Sequence, residues 1–506
     1  MQLHESEQPT LAGLSKVLEN ARVRCGIPGM SVAVLYKGEL IYVAGFGKRN
    51  ESEPFTPQTL TSIASVTKAF TATAIGELVA EGKMDWDTTP VSQYLPGFEL
   101  KDQTLTSQLT LADLLSHRSG LPNVDLAWFR NTESTRDLIK RLKHVDISPK
   151  LGSKCLYNNV MYAVAGEAGA NVAGIPYEEL VKTKVLKPLG MTRSGFSAME
   201  MKTHADHAMP YLADSLKDAQ EGRFTLGYLD DIYMADAAAG DIYSNVLDLV
   251  RWGSAVMHGG EIDGKQVLNK ENIQETLTAH TFRKTTRRAP DFAPALAYGL
   301  GWMIDSYKGR TVYYHGGSNP GFISNVAMFP DDDLVIAHLT NIDATKLPAN
   351  VPYLIADRLL CLPKTQDWVE VSIKETQELY DLLKAASKID LPEQRNGPPT
   401  HPLHEYVGEY SNPVYGKVSV RLENEKNIRG GGGGGEALYF KMRTLDSRMN
   451  HYHFDTFTAA LKDFALQIGA VMTFHTGENG QVEDLRFMVQ SDIVEFKREQ
   501  ARRIEE

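Results

Sequence analysis

The chain has 506 residues, and 53 Lys and Arg against 64 Asp and Glu leave a net charge of −11. That balance argues against general binding to nucleic acid or to anionic membranes. Hydrophobic residues make up 42%, enough for a sizeable core, and this excludes wholesale disorder. The three cysteines, Cys25, Cys155 and Cys361, are odd in number and far apart. They give neither a disulfide framework nor a zinc spacing, and they suit a reducing compartment. The start Met1–Thr10 is polar and acidic, without a basic end or an apolar core, so the expectation is no secretion signal and a cytoplasmic protein. No apolar run of about 18 residues exists, so no membrane span is expected.

In chain order, residues 11–25 suit a helix. Met30–Tyr36 and Glu39–Phe46 are β-rich runs separated by Lys37-Gly38, a hairpin signal. Thr61 to Gly82 reads as a helix. Val66, Phe70, Ala74 and Leu78 are spaced by four, and Ile75 and Val79 widen the stripe until most of the circumference is apolar, the mark of a buried helix. Gly82 suits its C-terminal stop. Helical patterns then dominate to about residue 289, at 111–116, 135–142, 161–172, 177–186, 246–257 and 270–278. Ser244 is expected to cap the helix at Val246. Strand character returns at 299–305, 311–315, 322–329 and 334–340.

Strands at both ends with helices between predict an α/β fold of the α+β type. One antiparallel sheet is flanked by helices and carries a large helical subdomain. This first domain is expected over residues 1–362. A helix and a Pro-rich linker follow over 363–403. Short strands at 416–422, 437–442, 470–475, 482–489 and 492–497, with Asn479-Gly480 as a hairpin signal, predict a small all-β barrel over 404–506. The six glycines at 430–435 read as a replacement for a loop or as a hairpin tip.

The chemistry starts at Ser65 and Lys68. Three positions apart on a helix, they share a face, with Cβ atoms about 5–6 Å apart. A serine hydroxyl becomes a useful nucleophile when a neighbour takes its proton, and a lysine in a buried pocket can do so. A Ser-x-x-Lys pair turns up about once or twice by chance in a chain this long, so it needs partners. Two segments supply them. Tyr157-Asn158-Asn159 precedes a helix: Tyr157 offers a second proton carrier, and Asn159 can hydrogen-bond the lysine and a substrate amide. Tyr243/Asn245 and Tyr410/Asn412 have the same spacing and read as structural. Tyr313 to Gly321 ends a strand and contains His315, Gly316, Gly317 and Ser318, where glycines let the backbone approach a ligand. The N–H of Ser318 can join that of Ser65 to hold an oxyanion. His204/His207, His401/His404 and His451/His453 have metal-like spacing but nothing that completes a site. No Gly-x-Ser-x-Gly elbow and no phosphate-binding glycine loop is present.

Together the three segments resemble the serine β-lactamase and penicillin-binding-protein-like superfamily, nearest its class C β-lactamase, family VIII carboxylesterase and D-aminopeptidase branch. Thr110–Pro122, Pro188–Thr192, Ala239-Gly240 with Ser244 and Asp248, and Tyr298–Trp302 follow in that family's order, so the resemblance covers about residues 10–360. The tail from about residue 404 resembles the lipocalin-like barrel often appended to such enzymes.

The resemblance implies Ser65 as acylated nucleophile, Lys68 and Tyr157 as proton carriers, Asn159 as support and His315-Gly316-Gly317 as the third motif. True β-lactamases usually carry Lys-Thr-Gly there, whose lysine binds a substrate carboxylate, so a histidine points toward the esterase and aminopeptidase members. The expected activity is hydrolysis of a small-molecule ester or amide through an acyl-enzyme, an ester first, with neither metal nor cofactor. The alternatives are a D-amino-acid peptidase, an acyltransferase, a weak β-lactamase or an idle scaffold. The barrel is expected to cover the cleft or to drive a homo-oligomer.

Overall fold

The structure is a computed structural model that describes residues 9–147, 154–230, 234–284, 291–292, 295–386, 391, 393–424, 435–463, 466–489 and 492–499. The chain divides into two compact units, Met1–Tyr380 and Asp381–Glu506.

In the first unit a 3-10 turn at Pro9–Leu11 precedes α1 (Leu14–Arg24) and the hairpin β1 (Gly29–Tyr36) and β2 (Glu39–Gly47). Lys37 and Gly38 have φ of 50° and 77°. Positive φ at both central residues is what the primed hairpin turn requires. Then come α2 (Thr67–Ala80), α3 (Leu111–Leu115), α4 (Asp125–Trp128), α5 (Asn159–Ala173), α6 (Ala237–Gly240) and α7 (Val246–Met257). Six strands follow: β3 (Thr281–Lys284), β4 (Ala295–Tyr298), β5 (Met303–Tyr307), β6 (Arg310–Asn319), β7 (Phe322–Phe329) and β8 (Leu334–Thr340). The unit closes with α8 (Leu347–Leu359) and most of α9 (Trp368–Ala386).

All eight strands form one sheet in the order β3-β4-β5-β6-β7-β8-β1-β2. Each neighbouring pair is antiparallel, with β1 against β8. The N-terminal hairpin therefore pairs with the late strands, as the pattern predicted. Strands β3 and β4 lie where a helical pattern was expected to continue or no element was expected. They are four-residue runs at one end of the sheet, too short for alternation to show.

One sheet face carries Val32, Val34, Ala327, Phe329, Leu334 and Ile336 into a core with α1, α8 and Trp368 of α9. On the other face lies α7, whose Gly253 sits so close that a Cβ there would be 2.6 Å from Val335. Helix α2 is buried almost all round. Its Phe70 stacks on Trp252 at 3.8 Å, and Trp252 stacks on Trp302 at 5.1 Å. The helix stops where Gly82, at φ 67°, donates to the Val79 carbonyl. At α7 the cap is Asn245, which accepts from Leu247 and Asp248 N–H, rather than Ser244, whose hydroxyl pairs with Ser194.

The second unit is a nearly closed, barrel-like sheet. Its strands are β9 (Gly408–Asn412), β10 (Gly416–Asn424), β11 (Glu436–Met442), β12 (Leu445–Arg448), β13 (Asn450–His453), β14 (Thr456–Asp463), β15 (Leu466–Thr476), β16 (Val482–Val489) and β17 (Asp492–Arg498). They run in the order β12-β11-β10-β9-β17-β16-β15-β14-β13 around a core that includes Tyr406, Phe440, Phe487 and Phe496. The Asn479-Gly480 signal falls in the turn between β15 and β16, with Gly480 at φ 73°. That turn spans Gly477 to Gln481, whose backbones hydrogen-bond at 2.9 Å, and so is longer than a two-residue hairpin. Of the glycine run, residues 430–434 lie outside the described residues.

Candidate active site

Ser65 does not open α2. It sits just before it, in a 3-10 turn over Ala64–Val66, and α2 starts at Thr67. Ala64 has φ 47°. A left-handed backbone at a residue with a Cβ costs about 1–2 kcal/mol and needs support from its surroundings. That support is visible. Ile63 N–H donates to the Ile242 carbonyl at 2.9 Å, Ser324 Oγ donates to the Ile63 carbonyl at 2.6 Å, and Asn319 Nδ2 donates to Ser62 Oγ at 2.8 Å. The turn is thereby pinned to β6, β7 and the strand Ile242–Ser244.

Lys68 is fully buried, whereas Ser65 is only half-buried. Lys68 Nζ donates to Ser65 Oγ at 3.1 Å, to Asn159 Oδ1 at 2.7 Å and to the Ala239 carbonyl at 3.0 Å. Two of these partners, an amide oxygen and a carbonyl, only accept, whereas the Ser65 hydroxyl can also donate. The contact between Lys68 and Ser65 is therefore the path along which a proton would pass to a neutral amine. Asn159 begins α5 and Ala239 lies in α6, so three helices meet at one amine. Asn159 Nδ2 in turn donates to Asp125 Oδ1 at 3.2 Å. Asp125 also accepts from Trp128 Nε1 at 2.8 Å.

Tyr157 is half-buried, and its ring centre lies 4.9 Å from Lys68 Nζ. Tyr162 faces the same amine at 5.4 Å, and the Arg283 guanidinium lies 5.9 Å from the Tyr157 ring. His315 is buried on β6, its ring 6.4 Å from that of Tyr157. Its Nδ1 faces the Gly316 carbonyl at 2.7 Å, and its Nε2 faces Tyr298 Oη at 3.0 Å. A carbonyl only accepts, so Nδ1 carries the proton and Nε2 accepts from the tyrosine. Burial, with the charge of Lys68 next, pushes His315 down to about 3. A neutral imidazole stands where a lysine would have supplied a cation.

Strand β6 passes close to the Ser65 turn at Gly317, where a Cβ would lie 2.1 Å from the Ile63 carbonyl oxygen. Ser318 follows, exposed and opposite Ile323 of β7. Ser65, Lys68, Tyr157, Asn159, His315, Gly316, Gly317 and Ser318 are therefore gathered around one turn.

A sequence model described as Beta-lactamase matches residues 14–360. The chain belongs to the Beta-lactamase family. A second model, "Domain of unknown function (DUF3471)", matches residues 392–502. Among curated proteins, the chain is 27% identical over 441 residues to "Unguisins hydrolase ungD'" of Aspergillus campestris, covering 84% of this chain and 80% of that protein. Among solved structures it is similar to the octameric penicillin-binding protein homologue from Pyrococcus abyssi. There the TM-score is 0.60 and the identity 23%, with 96% of this chain and 100% of that one covered. It is also similar to the D-amino acid amidase from Ochrobactrum anthropi SV3, with TM-score 0.56 and 20% identity over 71% of this chain and 99% of that one.

In this β-lactamase-family chain several site neighbours went unread in the sequence. Asp125, His117, Tyr162 and Tyr298 reach the site through tertiary contacts alone. His117 and Tyr298 lie in segments that carry the family resemblance, but nothing in their spacing revealed a role. Asp236 is buried, with Oδ1 lacking a partner, and burial holds its carboxyl well above the usual range. The other Tyr-x-Asn pairs are structural: Tyr243 is buried beside the Asn245 cap, and Tyr410 donates to the Tyr406 carbonyl. Among the described residues no group of three or more His, Cys, Asp or Glu could hold a metal ion. No described helix is long and apolar enough to cross a membrane.

Proposed function

We propose that this Beta-lactamase-family protein is a serine hydrolase that cleaves ester or amide bonds of small molecules through an acyl-enzyme on Ser65. The observation that carries the reading is the fully buried Lys68 with its Nζ 3.1 Å from the Ser65 hydroxyl. The neutral amine of Lys68 takes the single serine proton as Oγ attacks the carbonyl carbon, and Tyr157 is the second carrier that relays it. The N–H groups of Ser65 and Ser318 hold the tetrahedral anion, and removing one such donor costs about 100- to 1,000-fold in turnover. Tyr157 returns a proton to the leaving oxygen or nitrogen, and water releases the acid. Asn159 holds Lys68 in place.

Simple esters come first in this reading, because the neutral His315 offers no charge to a substrate carboxylate. D-amino-acid amides are the second reading, supported by the similarity to a D-amino acid amidase. A lipocalin-like barrel over residues 404–506, joined by the helix and linker 363–403 to an enzyme domain over 1–362, belongs to the same proposal. So do a cytoplasmic location and assembly into a homo-oligomer, the latter supported by the octameric structural neighbour.

The test is covalent labelling with a fluorophosphonate, with turnover of p-nitrophenyl acetate, D-phenylalanine amide and nitrocefin. Wild type is expected to label and to turn over the ester or the amide. Equal behaviour of wild type and Ser65→Ala would overturn the mechanism, and turnover of nitrocefin alone would overturn the substrate class.

A further inference from the structure

We propose that His117 is a positioning residue for Tyr157, gripping the backbone on both sides of it through its own carbonyl and its Nδ1. The inference rests on Tyr157 being a proton carrier. His117 follows α3 and is fully buried. Its carbonyl accepts from Leu156 N–H at 2.8 Å, and its Nδ1 accepts from Asn158 N–H at 3.2 Å. Its ring lies against the Tyr157 ring, with centres 4.2 Å apart. One side chain and one peptide thus hold residues 156 and 158, and the ring supports the residue between them.

The grip has a fixed chemistry. An N–H can donate only to an unprotonated nitrogen, so His117 is the tautomer with hydrogen on Nε2. That Nε2 has no conventional partner. The rings of Tyr157, Tyr162 and Tyr298 surround the imidazole at 4.2, 5.3 and 4.8 Å, a setting in which N–H meets π faces. Burial first, and the charge of Lys68 second, push His117 well below the usual histidine range. Its lone pair therefore stays available at neutral pH. His117 also has φ 59°, a left-handed backbone. Among residues with a Cβ, Asn adopts that conformation readily, and its Oδ1 reaches about as far as Nδ1 of histidine.

This makes two variants of the full chain decisive. His117→Phe keeps an aromatic ring but leaves Asn158 N–H without its acceptor. His117→Asn loses the ring and keeps an acceptor. A reacting group displaced by about 1 Å costs about 100-fold, so His117→Phe should lose about that much in kcat with KM changed less than about threefold. His117→Asn should recover most of it. Amide exchange of Asn158 gives a second readout that needs no turnover: protected in wild type and His117→Asn, fast in His117→Phe. Wild-type kcat in His117→Phe, or a His117→Asn as poor as His117→Phe, overturns the proposal. If wild type shows no Ser65-dependent turnover, the hydrolase reading fails and exchange alone decides the grip. Equal Asn158 protection in all three chains then overturns it.

Discussion

Gly317 on β6 lies against Ile63 with no room for a side chain: a Cβ would stand 2.1 Å from the Ile63 carbonyl oxygen and 3.0 Å from the Ala64 Cβ. Ser324 Oγ, 2.5 Å from that Cβ, could rotate aside, but the nearest obstacle is the Ile63 backbone and the Ala64 Cβ is fixed to its own backbone. The strand that carries His315 and Ser318 is set against the Ser65 turn by that absence. Gly317→Ala should push the two apart. About 1–3 kcal/mol of stability should be lost to overpacking, and turnover should fall about 100-fold through misplacement of the turn. Urea unfolding and kcat on one substrate measure both. Wild-type kcat with unchanged stability would show that the close approach serves nothing.

Tyr298→Phe tests the other side of β6. The phenol donates to His315 Nε2, while His315 Nδ1 is committed to the Gly316 carbonyl. Removing the hydroxyl leaves a buried acceptor unpaired, which costs about 1–3 kcal/mol. A lower thermal midpoint is expected, checked by circular dichroism.

The sequence carried the sheet's outline because its inner strands are long. The runs 322–329 and 334–340 have the limits the structure shows for β7 and β8. Short edge strands such as β3, and β12 and β13 of the second unit, carried no readable period. Ser65 and Lys68 were legible because their relation is local, three residues along one chain. Lys68 and Asn159 are 91 residues apart, and only a segment-by-segment resemblance joined them. His117, Tyr298 and Asp125 were hidden because their meaning lies in which neighbour the fold brings to them. The 3-10 turn was hidden for a related reason. Ala64 takes its left-handed backbone from the strands pinning it, against its own preference.

Acid should weaken the fold. Burial pushes His338 down to about 3, as it does His315. An unfolded histidine titrates near 6.5. Between those values the unfolded chain binds more protons than the folded one. Stability is therefore complete above about pH 6.5 and is lost as pH falls toward about 3, at up to about 1.4 kcal/mol per pH unit for each histidine. Asp343 acts in the opposite sense: burial raises it to about 6, so its contribution fades as pH rises from about 4 through 6. His338 allows a clean test, because neither ring nitrogen has a partner. His338→Leu should raise the urea midpoint more at pH 5 than at pH 8. An equal shift at both pH values would refute the assignment.

Asp125 should matter although it touches neither Ser65 nor Lys68 through any hydrogen bond described. Asn159 presents Oδ1 to the amine only if its Nδ2 is held elsewhere, and Asp125 Oδ1 is the acceptor that holds it. An amide without that anchor can turn its NH2 toward Lys68, which then meets a donor where it needs an acceptor. Asp125→Ala should lower kcat by about tenfold, the loss of a charge-assisted hydrogen bond of about 1.5 kcal/mol. Because the effect passes through Asn159, the two residues should fail to add. In a cycle of Asp125→Ala, Asn159→Ala and the double variant, the double should be little worse than Asn159→Ala alone. Full additivity would mean that Asp125 acts through Trp128 or the local backbone, with no part in orienting the amide.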